Sequence, residues 1–129
     1  YITDNLGGLA FNLSHSGDWA LIAFSRVAEI GIDLEQQRHI KHTERIAQRV
    51  FSTEEISALA ENDYSPIIFT YFWTRMEARQ KCLGHGIFGQ RVASSEVGIF
   101  SFSTGNNFIL SLAWGNPKLM PSMRFLIPA

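Results

Sequence analysis

The run from Phe72 to Gly86, FWTRMEARQKCLGHG, constrains this chain more than any other stretch. It has no Pro and no Gly before Gly84, so it predicts a helix that Gly84 ends. Ser65-Pro66 supplies the start, with Pro at the first helical position, where its missing N–H leaves no bond unmade. Phe69, Phe72, Trp73 and Met76 recur at helical spacing and predict an apolar stripe. Thr70, Thr74, Glu77 and Lys81 fall on a neighbouring face at steps of three and four. Glu77 and Lys81 therefore set a carboxylate and an ammonium along one line. Alone, such a pair reads as an exposed contact worth a few tenths of a kcal/mol.

The segments before the helix read as strands. Phe11 to His15 alternates apolar and polar, Ser16-Gly17-Asp18 is a turn, and Trp19 to Phe24 is short and almost wholly apolar, predicting a buried strand. Ile30 to Glu35 alternates cleanly: Ile30, Ile32 and Leu34 take one face, Gly31, Asp33 and Glu35 the other. Together these predict an antiparallel meander of three strands. His39 to Val50 reads as a helix, and Thr53 to Glu61 as another, with Ser52 and Glu55 spaced as a capping box. After Gly86 strands return at Val97 to Ser103, Phe108 to Trp114 and Met123 to Ile127. The class is α+β: one antiparallel sheet of about five to six strands on a long helix with two shorter helices, in one domain spanning residues 1–129.

At 46% hydrophobic and 18% charged residues, such a core can form without disulfides. The net charge of -1 gives no general case for nucleic acid or membrane binding, and no apolar run reaches membrane-spanning length. The one cysteine, Cys82, reads as a buried structural thiol and fits a reducing compartment. A cytoplasmic protein is expected. The chain opens at Tyr1, without an initiator Met, as the remainder of something longer would.

Asp33 and Glu35, two apart on a strand, leave the same face. Such acids are usually just solvated. Held together they repel each other, a cost that a divalent cation offsets. Hard oxygen ligands suit magnesium, which takes few protein carboxylates and completes its shell with water and phosphate. If Glu77 packs over them with Lys81 a turn away, the set is equipped for phosphate chemistry.

Three segments resemble the 4′-phosphopantetheinyl transferases, specifically the longer, two-lobed type typified by the surfactin-synthetase activator. They are Phe11-Asn12-Leu13-Ser14-His15-Ser16-Gly17; Gly31-Ile32-Asp33-Leu34-Glu35 followed by Phe51-Ser52-Thr53-Glu54-Glu55; and Trp73-Thr74-Arg75-Met76-Glu77-Ala78 with Lys81 and Gly84-His85-Gly86. The likeness covers about Tyr1 to Gly86 and marks the chain as a carboxy-terminal lobe.

The resemblance implies transfer of the phosphopantetheine arm of coenzyme A to a serine of an apo carrier protein, magnesium-dependent, releasing adenosine 3′,5′-bisphosphate. Such activity belongs to fatty-acid or secondary-metabolite biosynthesis. By matching position, Asp33, Glu35 and Glu77 are the implied magnesium ligands, Glu77 also the base for the incoming serine, and Lys81 the phosphate contact. Ser14 and His15 are the implied coenzyme A contacts. Carrier proteins are usually acidic, and the basic residues Arg38, Lys41, Arg45 and Arg49 can steer one, or simply form a solvated face. The family usually has Lys where this chain has Met76, which predicts one positive charge fewer near the phosphates. An isolated lobe is expected to self-associate through the edge its partner lobe covers, or to be a weak enzyme. Two alternatives keep the same acids: a lobe that binds coenzyme A or carrier protein without turnover, and a magnesium phosphohydrolase.

Overall fold

The computed structural model describes residues 9–84, 97–104, 106–119, 122 and 124. Among these, the order is β1 (Ala10–Ser16), β2 (Trp19–Ser25), β3 (Ile30–Gln36), α1 (Thr43–Val50), α2 (Thr53–Glu61), α3 (Pro66–Leu83), β4 (Gly98–Ser103) and β5 (Phe108–Trp114). The α+β class is as the sequence implies. The segment Met123 to Ile127, and His85 and Gly86 after α3, lie at least partly outside the described residues.

α3 forms as its sequence dictates. Pro66 occupies the first turn, and Gly84 ends the helix at φ 73°, a left-handed conformation that costs glycine little. Its apolar stripe faces α1 and α2: Phe69 and Met76 are buried with Ala47, Phe51 and Leu59, and Phe72 and Trp73 flank them. The rings of Phe51 and Phe69 meet edge to face, 5.4 Å between centroids. α2 begins at a complete capping box, Ser52 Oγ accepting from Glu55 N while Glu55 accepts from Ser52 N. α1 starts at Thr43, four residues later than the apolar spacing predicts, after His42 turns into the left-handed region.

The predicted three-strand meander is corrected. β1 and β2 form a hairpin, but β3 pairs antiparallel with β5, which pairs with β4. The expected single sheet is thus two, of two and three strands. The cause is visible on β1. Asn12 Oδ1, Ser14 Oγ and Ser16 Oγ accept from the backbone N–H of Ile32, Leu34 and Gln36 at 2.8, 2.9 and 3.1 Å. Alternate β1 side chains therefore satisfy the outer edge of β3, the place a further strand would fill with its backbone.

The face of β3 carrying Ile32 and Leu34 packs with Phe108 and Leu110 under Leu21 and Ala23 of the hairpin. The expectation that β2 is buried fails: Ile22 and Phe24 on its outer face, and Trp19 at its first position, are more than half exposed. The face carrying Gly31 and Asp33 meets α3. A Cβ on Gly31 would overlap Ala78 O and Cys82 N, so glycine is what lets helix and sheet backbones touch. The layers run hairpin, three-stranded sheet, α3, then α1 and α2.

Candidate active site

The close approach at Gly31 brings the middle of β3 against the last turns of α3. Asp33 is 4% exposed, and Lys81 Nζ reaches its Oδ1 at 3.6 Å. The same ammonium donates to Ile32 O at 2.9 Å and Leu13 O at 3.4 Å. All three of its hydrogens have acceptors in reach, so Lys81 ties α3 to β1 and β3 as well as facing the acid.

Electrostatically the site is short of positive charge. Burial pushes the Asp33 carboxyl up to about 8, helped by Glu35 and Glu77, and Lys81 only partly opposes this. Glu35 is raised by burial, against hydrogen bonding from Trp73 and the charge of Arg38. Glu77 is raised by burial too, with Lys81 lowering and Glu35 raising it further. When Asp33 and Glu35 are both ionised, neither has a hydrogen to offer the other, and Asp33 Oδ2 is buried with no donor. Three carboxylates with one shared ammonium and an unsatisfied inward oxygen fit a divalent cation. Among the described residues, no three His, Cys, Asp or Glu side chains are grouped so as to hold a metal ion as they stand; the fit is one of charge and donor type. The acids are electrostatic neighbours.

Glu35 and Glu77 open onto a cleft of about 290 Å³, walled by Phe69, Trp73 and Arg38. Thr70, 2% exposed, lines it with an unpartnered hydroxyl. Behind the acids runs a buried hydroxyl chain, Thr74 to Ser111 at 2.8 Å and Ser111 to Ser101 at 2.7 Å, with Arg75 donating to Ser101.

The structure therefore brings Asp33, Glu35, Glu77 and Lys81 together. His15 sits exposed on β1. Ser14 is buried, its hydroxyl accepting from Leu34 N and facing Asp33 Oδ1 at 3.4 Å, so it is engaged inside the seam. Met76 packs beside Phe69 in the helical core rather than near the acids, so the charge lost at position 76 is not lost from this site. Arg38, Lys41, Arg45 and Arg49 are exposed, Arg38 at the cleft. Cys82 is buried, its thiol donating to Glu29 O and pushed up to about 11 by burial, as a structural thiol is. Sequence reasoning missed Asn12 and Ser16 as edge caps and Thr70 and Trp73 as cleft residues. The alternation Asn12-x-Ser14-x-Ser16, polar on every inward position of a strand, was the signal for the first pair.

Comparison with known proteins decides the family. Residues 29–115 match the family model described as the 4'-phosphopantetheinyl transferase superfamily. The chain belongs to that superfamily. It is 42% identical over 82 residues to 4'-phosphopantetheinyl transferase HetI of Nostoc sp., covering 62% of this chain and 35% of HetI. It is 38% identical over 79 residues to 4'-phosphopantetheinyl transferase Sfp of Bacillus subtilis, covering 60% and 34%. With psf-1 of Bacillus pumilus it shares 39% over 79 residues. The matched stretch spans about a third of the length of these transferases. Residues 29–115, the span of the family match, contain β3 and α3, the two elements that carry the acids and Lys81.

Proposed function

We propose that this chain carries the catalytic lobe of a 4′-phosphopantetheinyl transferase acting on coenzyme A and an acidic apo carrier protein. The observation that carries the reading is the convergence of Asp33, Glu35 and Glu77 with Lys81 at the β3–α3 contact, in a chain of this superfamily. Asp33, Glu35 and Glu77 would hold Mg²⁺. When bound, the ion supplies charge neutralisation on the phosphate oxygens of coenzyme A.

The chain's own residues have separable tasks. Glu77, at the cleft mouth with its carboxyl raised by burial, accepts the proton of the carrier serine. The serine oxygen bonds to the phosphorus of the phosphopantetheine arm. The P–O bond to the adenosine 5′-phosphate breaks and takes its electron pair, and adenosine 3′,5′-bisphosphate leaves. Lys81 steadies charge on the leaving oxygens. His15, exposed on β1, meets a coenzyme A phosphate. The half-apolar cleft beside Glu35 and Glu77 suits the arm next to the reacting phosphate. The exposed basic residues beside it attract an acidic partner. The single cysteine, kept as a thiol, supports a cytoplasmic setting.

The test is transfer of label from coenzyme A to an apo carrier protein by the full-length enzyme with Mg²⁺. Transfer that disappears in Glu77→Gln supports the reading. No transfer from a folded, coenzyme-binding preparation would sink it in favour of a binding lobe without turnover.

A further inference from the structure

β1 reaches β3 through three side chains, and one of them does more than cap a strand edge. Asn12, Ser14 and Ser16 each accept a backbone N–H from β3. Among the described residues, Ser14 alone of the three also touches a carboxylate. Its oxygen accepts from Leu34 N at 2.9 Å, which leaves its one hydrogen to point at Asp33 Oδ1, 3.4 Å away. Lys81 Nζ approaches the same Oδ1 at 3.6 Å. Both internal donors thus fall on one oxygen, and Oδ2 is buried with none. A carboxylate tethered through one oxygen presents the other in a fixed direction.

We propose that Ser14 is a positioning residue for the cation site: it holds Asp33 by Oδ1 so that Oδ2 faces the divalent ion, and it does not touch coenzyme A. This rests on the metal role given to Asp33 above. Burial separates Ser14 from its neighbour. Ser14 is 5% exposed, between the strands, while His15 alternates to the outer face of the hairpin. A ligand arriving from solvent meets the exposed His15 before the buried Ser14. The effect is modest in size. Groups that orient a metal ligand are worth about 10- to 100-fold in metal affinity, and a 3.4 Å contact belongs at the low end.

The experiment counts free Mn²⁺ by electron paramagnetic resonance while titrating the full-length enzyme, without coenzyme A. Ser14→Ala is expected to weaken Mn²⁺ binding about tenfold. Ser14→Thr, which keeps the hydroxyl, stays close to the unmutated protein. Ser16→Ala, which removes a neighbouring edge cap with no carboxylate contact, also stays close. The KM for coenzyme A of Ser14→Ala, measured at saturating Mn²⁺, does not move. Equal weakening by Ser14→Ala and Ser16→Ala would reduce Ser14 to a strand fastener and overturn the proposal. So would unchanged Mn²⁺ affinity with a raised KM for coenzyme A, which would mark a coenzyme contact. If the unmutated enzyme binds no Mn²⁺, the metal role of the acids fails and this proposal with it. If it binds and Ser14→Ala binds equally well, this proposal fails alone. Should Ser14→Ala not fold, Ser14→Cys, a much weaker donor, takes its place: weak binding beside strong binding by Ser14→Thr upholds the proposal, and equal binding by both overturns it.

Discussion

Gly31→Ala tests the idea that the site exists because two backbones touch. A methyl at position 31 would overlap Ala78 O and Cys82 N and lie 3.0 Å from Lys81 Cβ. Neither overlapped atom is the loose end of a side chain, so no rotamer change relieves the clash. The helix must withdraw by about 1 Å at that point to restore ordinary contact distances. Overpacking commonly costs about 1–3 kcal/mol, and two main-chain atoms in the way put this case near about 3 kcal/mol. The same withdrawal carries Lys81 Nζ off Ile32 O, now 2.9 Å away, and moves Glu77 relative to Asp33. A 1 Å misplacement of catalytic groups costs about 100-fold in rate. Denaturant midpoints give the stability loss, and label transfer by the full-length enzyme gives the rate. Adding Ala78→Gly must not rescue either, because the obstruction is the carbonyl of residue 78 and not its side chain. Unchanged midpoint and rate in Gly31→Ala would refute the close-contact argument.

Other consequences follow from single residues. Met76→Lys, restoring the family's usual residue, places an ammonium among Ala47, Phe51, Leu59 and Phe69 and is expected to lower stability by about 3 kcal/mol or more without raising the transfer rate; a gain in rate would show that position 76 reaches the phosphates. Glu77→Gln should lower the transfer rate at saturating substrates by about 10²- to 10⁴-fold while the denaturant midpoint stays near the unmutated value; a drop under tenfold would exclude Glu77 as the base. Ser52→Ala removes the capping-box bond that the hydroxyl accepts from Glu55 N, while the bond from the residue 52 backbone N–H to Glu55 survives, and should cost about 1 kcal/mol in the midpoint, with no loss of activity at temperatures where the protein is folded. Asp33 titrates near 8 folded and near 3.8 as a free side chain, so the folded state holds the extra proton between those values and this group's contribution to stability falls as pH rises through that window. Mg²⁺ takes the ionised form, so its thermal stabilisation should grow with pH up to about 8 and then level; a flat response would show that Asp33 is ionised without the metal.

Much of the fold was legible because its rules are local. Pro66 and Gly84 bracket α3, Ser52 and Glu55 start α2, and the alternation of Ile30 to Glu35 assigns the two faces of β3. Pairing was not legible, because it depends on partners far along the chain. β3 chose β5 over the nearer β2, and the reason lies in three short polar side chains on β1 whose length matches the gap to the β3 edge. The acids were legible as residue types and as faces: two apart on a strand and one on a helix. Their shortage of positive charge was not, since it follows from how tightly Gly31 lets α3 approach and from Lys81 dividing itself among two carbonyls and one carboxylate. Met76 misled because a departure from a family pattern was read as a change of charge, whereas its helical position already grouped it with Phe69, Phe72 and Trp73 on the core side.

The division of α3 into faces explains why fold and chemistry are hard to separate in this chain. Successive helical residues point about 100° apart, so residue 76 cannot fill the core of α1 and α2 unless residue 77 turns toward β3 and the cleft. The core packing of Phe69 and Met76 therefore fixes the rotation of the helix, and that rotation aims Glu77 and Lys81. On the other side, the hydroxyls of Thr74, Ser111 and Ser101 lock the helix to β5 and β4 through directional bonds. A helix held from both sides cannot roll to soften the repulsion among Asp33, Glu35 and Glu77. Protonation relieves that repulsion at lower pH, and the cation proposed above would relieve it where the acids are ionised. A scaffold free to relax would keep its stability without an ion and would present a poorer site to one.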